Sequence, residues 1–245
     1  MIEANLIYLL ILFLIILQSI AGVGVLVIGT PLLLLNDFNF IDILSILLPI
    51  SISTSFLNLI FLKFNKKKFS IKIDRKLNFL FFVFCLPFIF GGLYIIKNYS
   101  ELINFKYLVS GIIFFSMIIT NQKKIINQLN NNLKIFFLSL IGLIHGISNS
   151  GGSLLSLFIT SNFKKNQSRY NITYFYFCLA LFQFIMYLII FNMQFASLNY
   201  FYISFILPVG VIFGNILAKY IDENSFKIII NLLSTISCIV LLSKA

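Results

Sequence analysis

Charge is what this sequence has least of. Asp, Glu, Lys and Arg make up 10% of 245 residues, and only 7 residues are acidic. With 60% hydrophobic residues and a mean hydropathy of +1.03, polar surface is too scarce to coat a soluble globule. An integral membrane protein remains. The chain also lacks the usual materials of a metal or redox centre. Its one histidine is His145, and Cys85, Cys178 and Cys238 stand singly in apolar runs, with no Cys-x-x-Cys pair and no cluster of His and carboxylates. The cysteines are expected to pack, and no metal or cofactor is expected. Neither paired intramembrane carboxylates nor a zinc-type cluster is present, and Ser148 with His145 is the only pair that could imitate a nucleophile and base, so an enzyme is not expected. The absence of a Walker-type loop argues against direct ATP drive. Only Glu3 and no basic residue precedes the first apolar run, which therefore reads as mature protein rather than a secretory signal.

What is present is a succession of long apolar segments. A transmembrane helix needs about 20 mostly apolar residues, whereas barrel strands alternate over about half that length. The candidates are Leu6 to Leu35, Ile41 to Leu62, Phe79 to Ile96, Tyr107 to Thr120, Ile135 to Ile159, Tyr170 to Phe191, Tyr200 to Ala218 and Phe226 to Leu242. The fold class is all-α, a polytopic helical membrane protein of about eight apolar segments. The net charge of +11 sits in the short loops, where it sets orientation and meets lipid head groups rather than nucleic acid.

Two segments are interrupted. The first carries Ala21-Gly22-Val23-Gly24, then Gly29-Thr30-Pro31; the run from Leu133 to Ile159 carries His145-Gly146-Ile147-Ser148-Asn149-Ser150-Gly151-Gly152-Ser153. Exposed backbone in hydrocarbon costs several kcal/mol per unpaired group, so such breaks persist only when buried in protein or facing a wet cavity. Interrupted segments in matching places of two halves point to a transporter's binding site. Further matches support a duplication. Pro87, Gly92, Lys97 and Glu101 are echoed by Pro208, Gly214, Lys219 and Glu223 at offsets of 121 to 122, and Gly22-x-Gly24 aligns with Ser148-x-Ser150 at 126. Two four-segment repeats are expected, over 1–120 and 135–245, with a cytoplasmic linker at 121–134.

Loop charge then separates two topologies. If all eight segments cross, the two sides carry 11 and 7 basic residues. If each broken segment enters and leaves on one side, the cytoplasmic side collects 15 and the outside keeps only Lys97, Lys106 and Lys244. The positive-inside rule favours the second arrangement: inverted repeats, each with a re-entrant pair of half-helices and three spanning helices.

Gly22-Val23-Gly24 with Pro31-Leu32-Leu33-Leu34, the Gly-Ile-Ser-Asn-Ser-Gly-Gly-Ser of residues 146–153, and Gly210-x-x-x-Gly214 before Ala218-Lys219 resemble the sulfite exporter TauE/SafE family over essentially the whole chain. The resemblance implies a duplicated permease in a bacterial-type cytoplasmic (inner) membrane. It also implies secondary transport of small sulfur-containing anions such as sulfite, sulfoacetate or other sulfonates. Val25 and Leu26 stand where the family's first turn would continue in glycine, and Leu157 stands where the second repeat's proline is expected.

The amides freed at a break point toward anions with the helix dipole behind them. The candidate substrate-binding residues are therefore Gly22, Gly24 and Thr30 in the first break, and His145, Ser148, Asn149, Ser150, Gly151, Gly152 and Ser153 in the second. For Gly22 and Gly24, ligand binding and close helix packing stand side by side. Ser51, Thr54 and Ser55, followed by Asn58, share one helical stripe that either lines the pathway or knits helices together. Asn171, Tyr174 and Cys178 have similar spacing, with Gln183 deeper. His145 either exchanges a proton or donates to a backbone carbonyl. Arg169 reads first as a cytoplasmic anchor and second as an attractor of anions; Gly210-x-x-x-Gly214 reads as packing. The expected function is a secondary permease for a small anion working by alternating access, with the bilayer as its other partner. The alternatives are a passive channel or a membrane scaffold. Neither the direction of transport nor the oligomeric state follows from the sequence.

Overall fold

The computed structural model describes residues 4–64, 73–102, 104–111, 114, 131–191, 200–222, 224–226, 228–229, 232 and 235. Nine α-helices make up most of it: α1 (Ala4–Ala21), α2 (Val25–Leu35), α3 (Phe40–Phe64), α4 (Arg75–Phe84), α5 (Leu86–Tyr99), α6 (Asn131–Ser148), α7 (Gly151–Asn162), α8 (Lys165–Phe191) and α9 (Tyr200–Tyr220). No strand occurs among the described residues. Six of the eight apolar segments become these helices, with two refinements. Phe79 to Ile96 divides into α4 and α5 at Cys85, with a proline in the first turn of α5, yet the pair remains one apolar span over Arg75–Leu102. The linker's last residues, 131–134, already form the first turn of α6. Linker residues 121–130, the Lys66 to Lys68 cluster, and most of the Tyr107 to Thr120 and Phe226 to Leu242 segments lie outside the described residues.

Local chemistry sets several helix ends. Asp74 accepts from the amides of Lys76 at 2.8 Å and Leu77 at 3.2 Å, capping α4. At the C-terminal end of α8, Lys97 donates to the Ile190 carbonyl at 2.9 Å. A cation there meets the negative end of the helix dipole.

Five described helical spans are long and apolar enough to cross a bilayer. The distribution of side chains agrees: large apolar groups point outward and polar ones inward. Leu9, Phe79, Phe136, Phe201 and Phe205 are exposed, whereas Gln18, Ser51, Asn58, His145, Asn149, Gln183 and Asn215 are buried. Water would penalise that arrangement, and hydrocarbon stabilises it. The chain is a multi-pass membrane protein.

Helices α3 and α8 pack together at the centre. Around them, α1 packs on α9 and α5 on α6. Glycine brings these pairs to backbone distance. A Cβ added at Gly214 would lie 2.7 Å from the Ile16 carbonyl oxygen, and one at Gly146 would lie 2.4 Å from that of Ile89. Gly210 faces Ile15 and Leu12 in the same seam, as expected of a packing motif.

At each break the chain turns back on itself. A Cβ at Gly29 would lie 3.0 Å from Leu14, fifteen positions earlier, although a continuous helix would separate them by about 22 Å. In the second hairpin Phe137 and Phe158 bring their ring centroids within 5.7 Å. Thus α1 with α2, and α6 with α7, are antiparallel helical hairpins with the breaks at their tips.

Candidate binding site at the two hairpin tips

The first tip needs a left-handed residue. Gly22 supplies it with φ of 83°, while its amide closes a last turn on the Gln18 carbonyl at 2.7 Å. Gly24 then lies against the backbone of Gln18, where a Cβ would come within 2.9 Å of the amide nitrogen. This reversal aims the first amides of α2 inward. The Val25 amide donates to Gln18 Oε1 at 3.0 Å and the Leu26 amide to the Tyr176 hydroxyl at 3.1 Å. Gln18 Nε2 in turn donates to the Ser51 carbonyl and to Ser55 Oγ, both at 2.9 Å. The anion-favouring end of α2 is therefore occupied by neutral oxygens of the protein itself.

Asn149 performs the same turn in the second tip, with φ of 60° and its amide on the His145 carbonyl at 2.9 Å. Asparagine tolerates this conformation better than most residues. Gly22 and Asn149 are 127 positions apart, so the conformational register differs by one from the sequence alignment of the breaks. The Asn149 side chain donates to Thr30 Oγ1 at 3.0 Å and accepts from Gln183 Nε2 at 2.8 Å. Gln183 Nε2 also reaches the His145 carbonyl at 3.2 Å. Three atoms beside this network have no hydrogen-bond partner although fully buried: His145 Nδ1, His145 Nε2 and Gln183 Oε1. A buried unpaired polar atom costs about 1–3 kcal/mol, and three of them lie together here.

The serines behave differently from Asn149. Ser148 donates to Ile144 O, Ser150 to Ser148 O and Ser153 to Ser150 O, all within their own turn. Gly151 and Gly152 admit protein rather than open space: an added Cβ would lie 2.5 Å from Ile141 O in one case and 2.4 Å from Tyr176 Cε2 in the other. Thr54 bonds the Ile50 carbonyl of its own helix. Ser51 and Ser55 hold Gln18, and Asn58 Nδ2 donates to Ser19 Oγ at 3.0 Å, so this stripe knits α3 to α1.

The two tips touch. Asn149 bonds Thr30 across the gap, Tyr176 of α8 caps α2, and Gly152 lies between Tyr176 and Val23. Helix α8 passes both tips, presenting Thr173 to Gly22, Tyr176 to Leu26 and Gln183 to Asn149. This face differs from the one drawn through Asn171, Tyr174 and Cys178; Tyr174 and Cys178 are only half-buried. Gln18 and Tyr176 escaped the sequence reading. For Gln18 a signal existed: it precedes Gly22 by four positions, as His145 precedes Asn149.

A second polar cluster adjoins the first tip. Arg169 Nη2 donates to the Ser19 carbonyl and to Asn215 Oδ1, the latter at 2.6 Å, while Asn215 Nδ2 donates to Asn58 Oδ1 at 2.6 Å. Arg169 is only 8% exposed, in contrast to the loop anchor expected of it.

Helical hairpins meeting inside a multi-pass bundle, with buried polar groups at their tips, define a membrane permease-like protein. The chain belongs to the sulfite exporter TauE/SafE family, whose model matches residues 7–241. No curated protein and no solved structure matches the chain.

Proposed function

We propose that the protein is a secondary permease for a small sulfur-containing oxyanion, such as sulfite or an organic sulfonate, in a bacterial-type cytoplasmic membrane. One observation carries the reading: the meeting of the two tips around Thr30, Asn149, Gln183 and the unpartnered ring of His145. An oxyanion there takes donors from the His145 ring, Asn149 and Thr30, none of which imposes a fixed charge. In the arrangement described, Gln18 and Tyr176 cover the first amides of α2. Their displacement would open two further donors, backed by a helix dipole, to the same ligand. The two hairpins belong to repeats of opposite orientation, and rocking of one repeat against the other exposes the tips alternately to the two sides.

Reconstitution in liposomes tests this with a panel of sulfite, thiosulfate, methanesulfonate, sulfoacetate and acetate, with and without a pH gradient. Saturable flux of the sulfur anions, with exchange across the membrane, is the expected result. Flux that never saturates makes the protein a channel, and no flux makes it a scaffold. Movement of acetate alone would remove the sulfur specificity and leave the permease.

A further inference from the structure

Arg169 is a buried cation without a counter-charge among the described residues. Its partners, the Ser19 carbonyl and Asn215 Oδ1, are neutral, and its Nε is buried with no partner. The ion pair among the described residues is Lys106 with Asp37, at the far side of the first hairpin. Asp222, just beyond α9, is exposed and forms no ion pair with Arg169. Lys165, one turn earlier, donates to the Ala218 and Ile221 carbonyls and adds positive potential rather than relieving it.

Carbonyl oxygens satisfy a guanidinium's N–H groups but carry no net charge. The cost of holding an arginine out of water is therefore only partly met, and arginine cannot escape by losing its proton. Membrane-embedded cations are retained where they act on ions. The surroundings suit a small anion: Asn58, Asn215 and Ser19 form a chain of neutral donors and acceptors on three helices, and the Arg169 carbonyl lies beside Gly22. From Arg169 the polar face of α8 runs to Tyr176 and Gln183, about 10 Å and 21 Å along the helix.

We propose that Arg169, with Asn215 and Asn58, forms an anion-binding site for a small oxyanion beside the first hairpin tip, a station on the way to the site at the second. The unpaired Nε is its free donor, and the geometry of a guanidinium suits an oxyanion. This rests on the permease reading for its place in a pathway, but the binding itself is independent of transport.

Purified full-length protein, unfolded thermally in sulfite or methanesulfonate against gluconate at equal ionic strength, reads binding directly, because a ligand of the folded state raises its melting temperature. Wild type is expected to be stabilised, Arg169→Lys to keep a weaker response, and Arg169→Gln to lose most of it. Asn215→Asp is the decisive variant. It places a carboxylate at the position 2.6 Å from Nη2 and neutralises the guanidinium, at the expense of the bonds that Asn215 Nδ2 gives to Asn58 Oδ1 and the Val211 carbonyl, so the protein should respond little to anion whatever its melting temperature without it. The same variant should raise the transport KM for sulfite about tenfold, the effect of one charge-assisted contact. The site is overturned if wild type does not respond, or if Asn215→Asp responds and transports as wild type does. Should Arg169→Gln fail to fold, Asn215→Asp still decides. The two readings fail separately. An Arg169-dependent response without flux keeps the site and loses the permease, whereas flux with unchanged KM in Asn215→Asp keeps the permease and loses the site.

Discussion

The two hairpin tips solve one backbone problem with opposite side-chain chemistry. Each reverses the chain through a left-handed residue whose amide bonds the carbonyl four positions back, Gly22 on Gln18 and Asn149 on His145. Gln18 then spends its whole amide group, holding Val25, Ser51 and Ser55. His145 spends none of its ring. The lesson is that polar residues at a break differ in what they leave available. The first tip is closed by its own side chains, and the second, with Gln183, keeps donors and acceptors in reserve.

The sharpest way to break this comparison is to exchange the turn residues. Gly22→Ala puts a Cβ on a left-handed backbone and within 3.1 Å of Thr173 Oγ1, the Arg169 carbonyl and Ile172. A left-handed alanine costs about 1–2 kcal/mol before crowding is added, and we expect the largest loss of thermal stability here. Asn149→Gly keeps the backbone and should cost about 1–2 kcal/mol for two lost hydrogen bonds. It should nevertheless abolish most sulfite flux. Equal stability losses in the two variants, with equal flux, would show that the tips do the same work.

Next come the residues that precede the turns. Gln18→Leu strands the Val25 amide and should destabilise the protein by about 1–3 kcal/mol. His145→Leu removes two nitrogens without hydrogen-bond partners and one edge contact with the Tyr176 ring, so its melting temperature should stay about level while flux falls. A destabilisation as large as that of Gln18→Leu would make His145 an ordinary core residue. The smallest effect belongs to Ser150→Ala, whose hydroxyl serves the Ser148 carbonyl at 3.2 Å. Stability should change by less than about 0.5 kcal/mol, and flux much less than in Asn149→Ala. A larger loss of flux in Ser150→Ala than in Asn149→Ala would return the site to the serines. Cysteines placed at Lys164 and at the 66–68 cluster should react from the same face of the membrane. Labelling from opposite faces would end the inverted arrangement.

The breaks were legible because glycine and proline interrupt an otherwise continuous apolar run, and hydrocarbon makes every such interruption conspicuous. The packing role of Gly210 and Gly214 was legible for the same reason: small residues four apart leave a groove. The polar face of α8 was not. Periodicity groups Asn171 with Tyr174 and Cys178 as readily as Arg169 with Thr173 and Tyr176, and only the position of the hairpins chooses between them. The serines of the second break bond within their own turn for a related reason. A serine hydroxyl can always return to its own turn, whereas the longer side chain of Asn149 is carried across to Thr30.

Composition by itself determined that this chain lives in a bilayer as helices, and the two interruptions determined where its backbone would be exposed. These are local matters, settled by the cost of unpaired amides in lipid. Only the tertiary structure decided which polar groups are used up and which are left over. Availability depends on neighbours brought from 30 to 150 positions away: Ser51 and Ser55 reaching Gln18, Tyr176 reaching Leu26, Thr30 reaching Asn149, and the neutral side chain of Asn215 lying on Arg169.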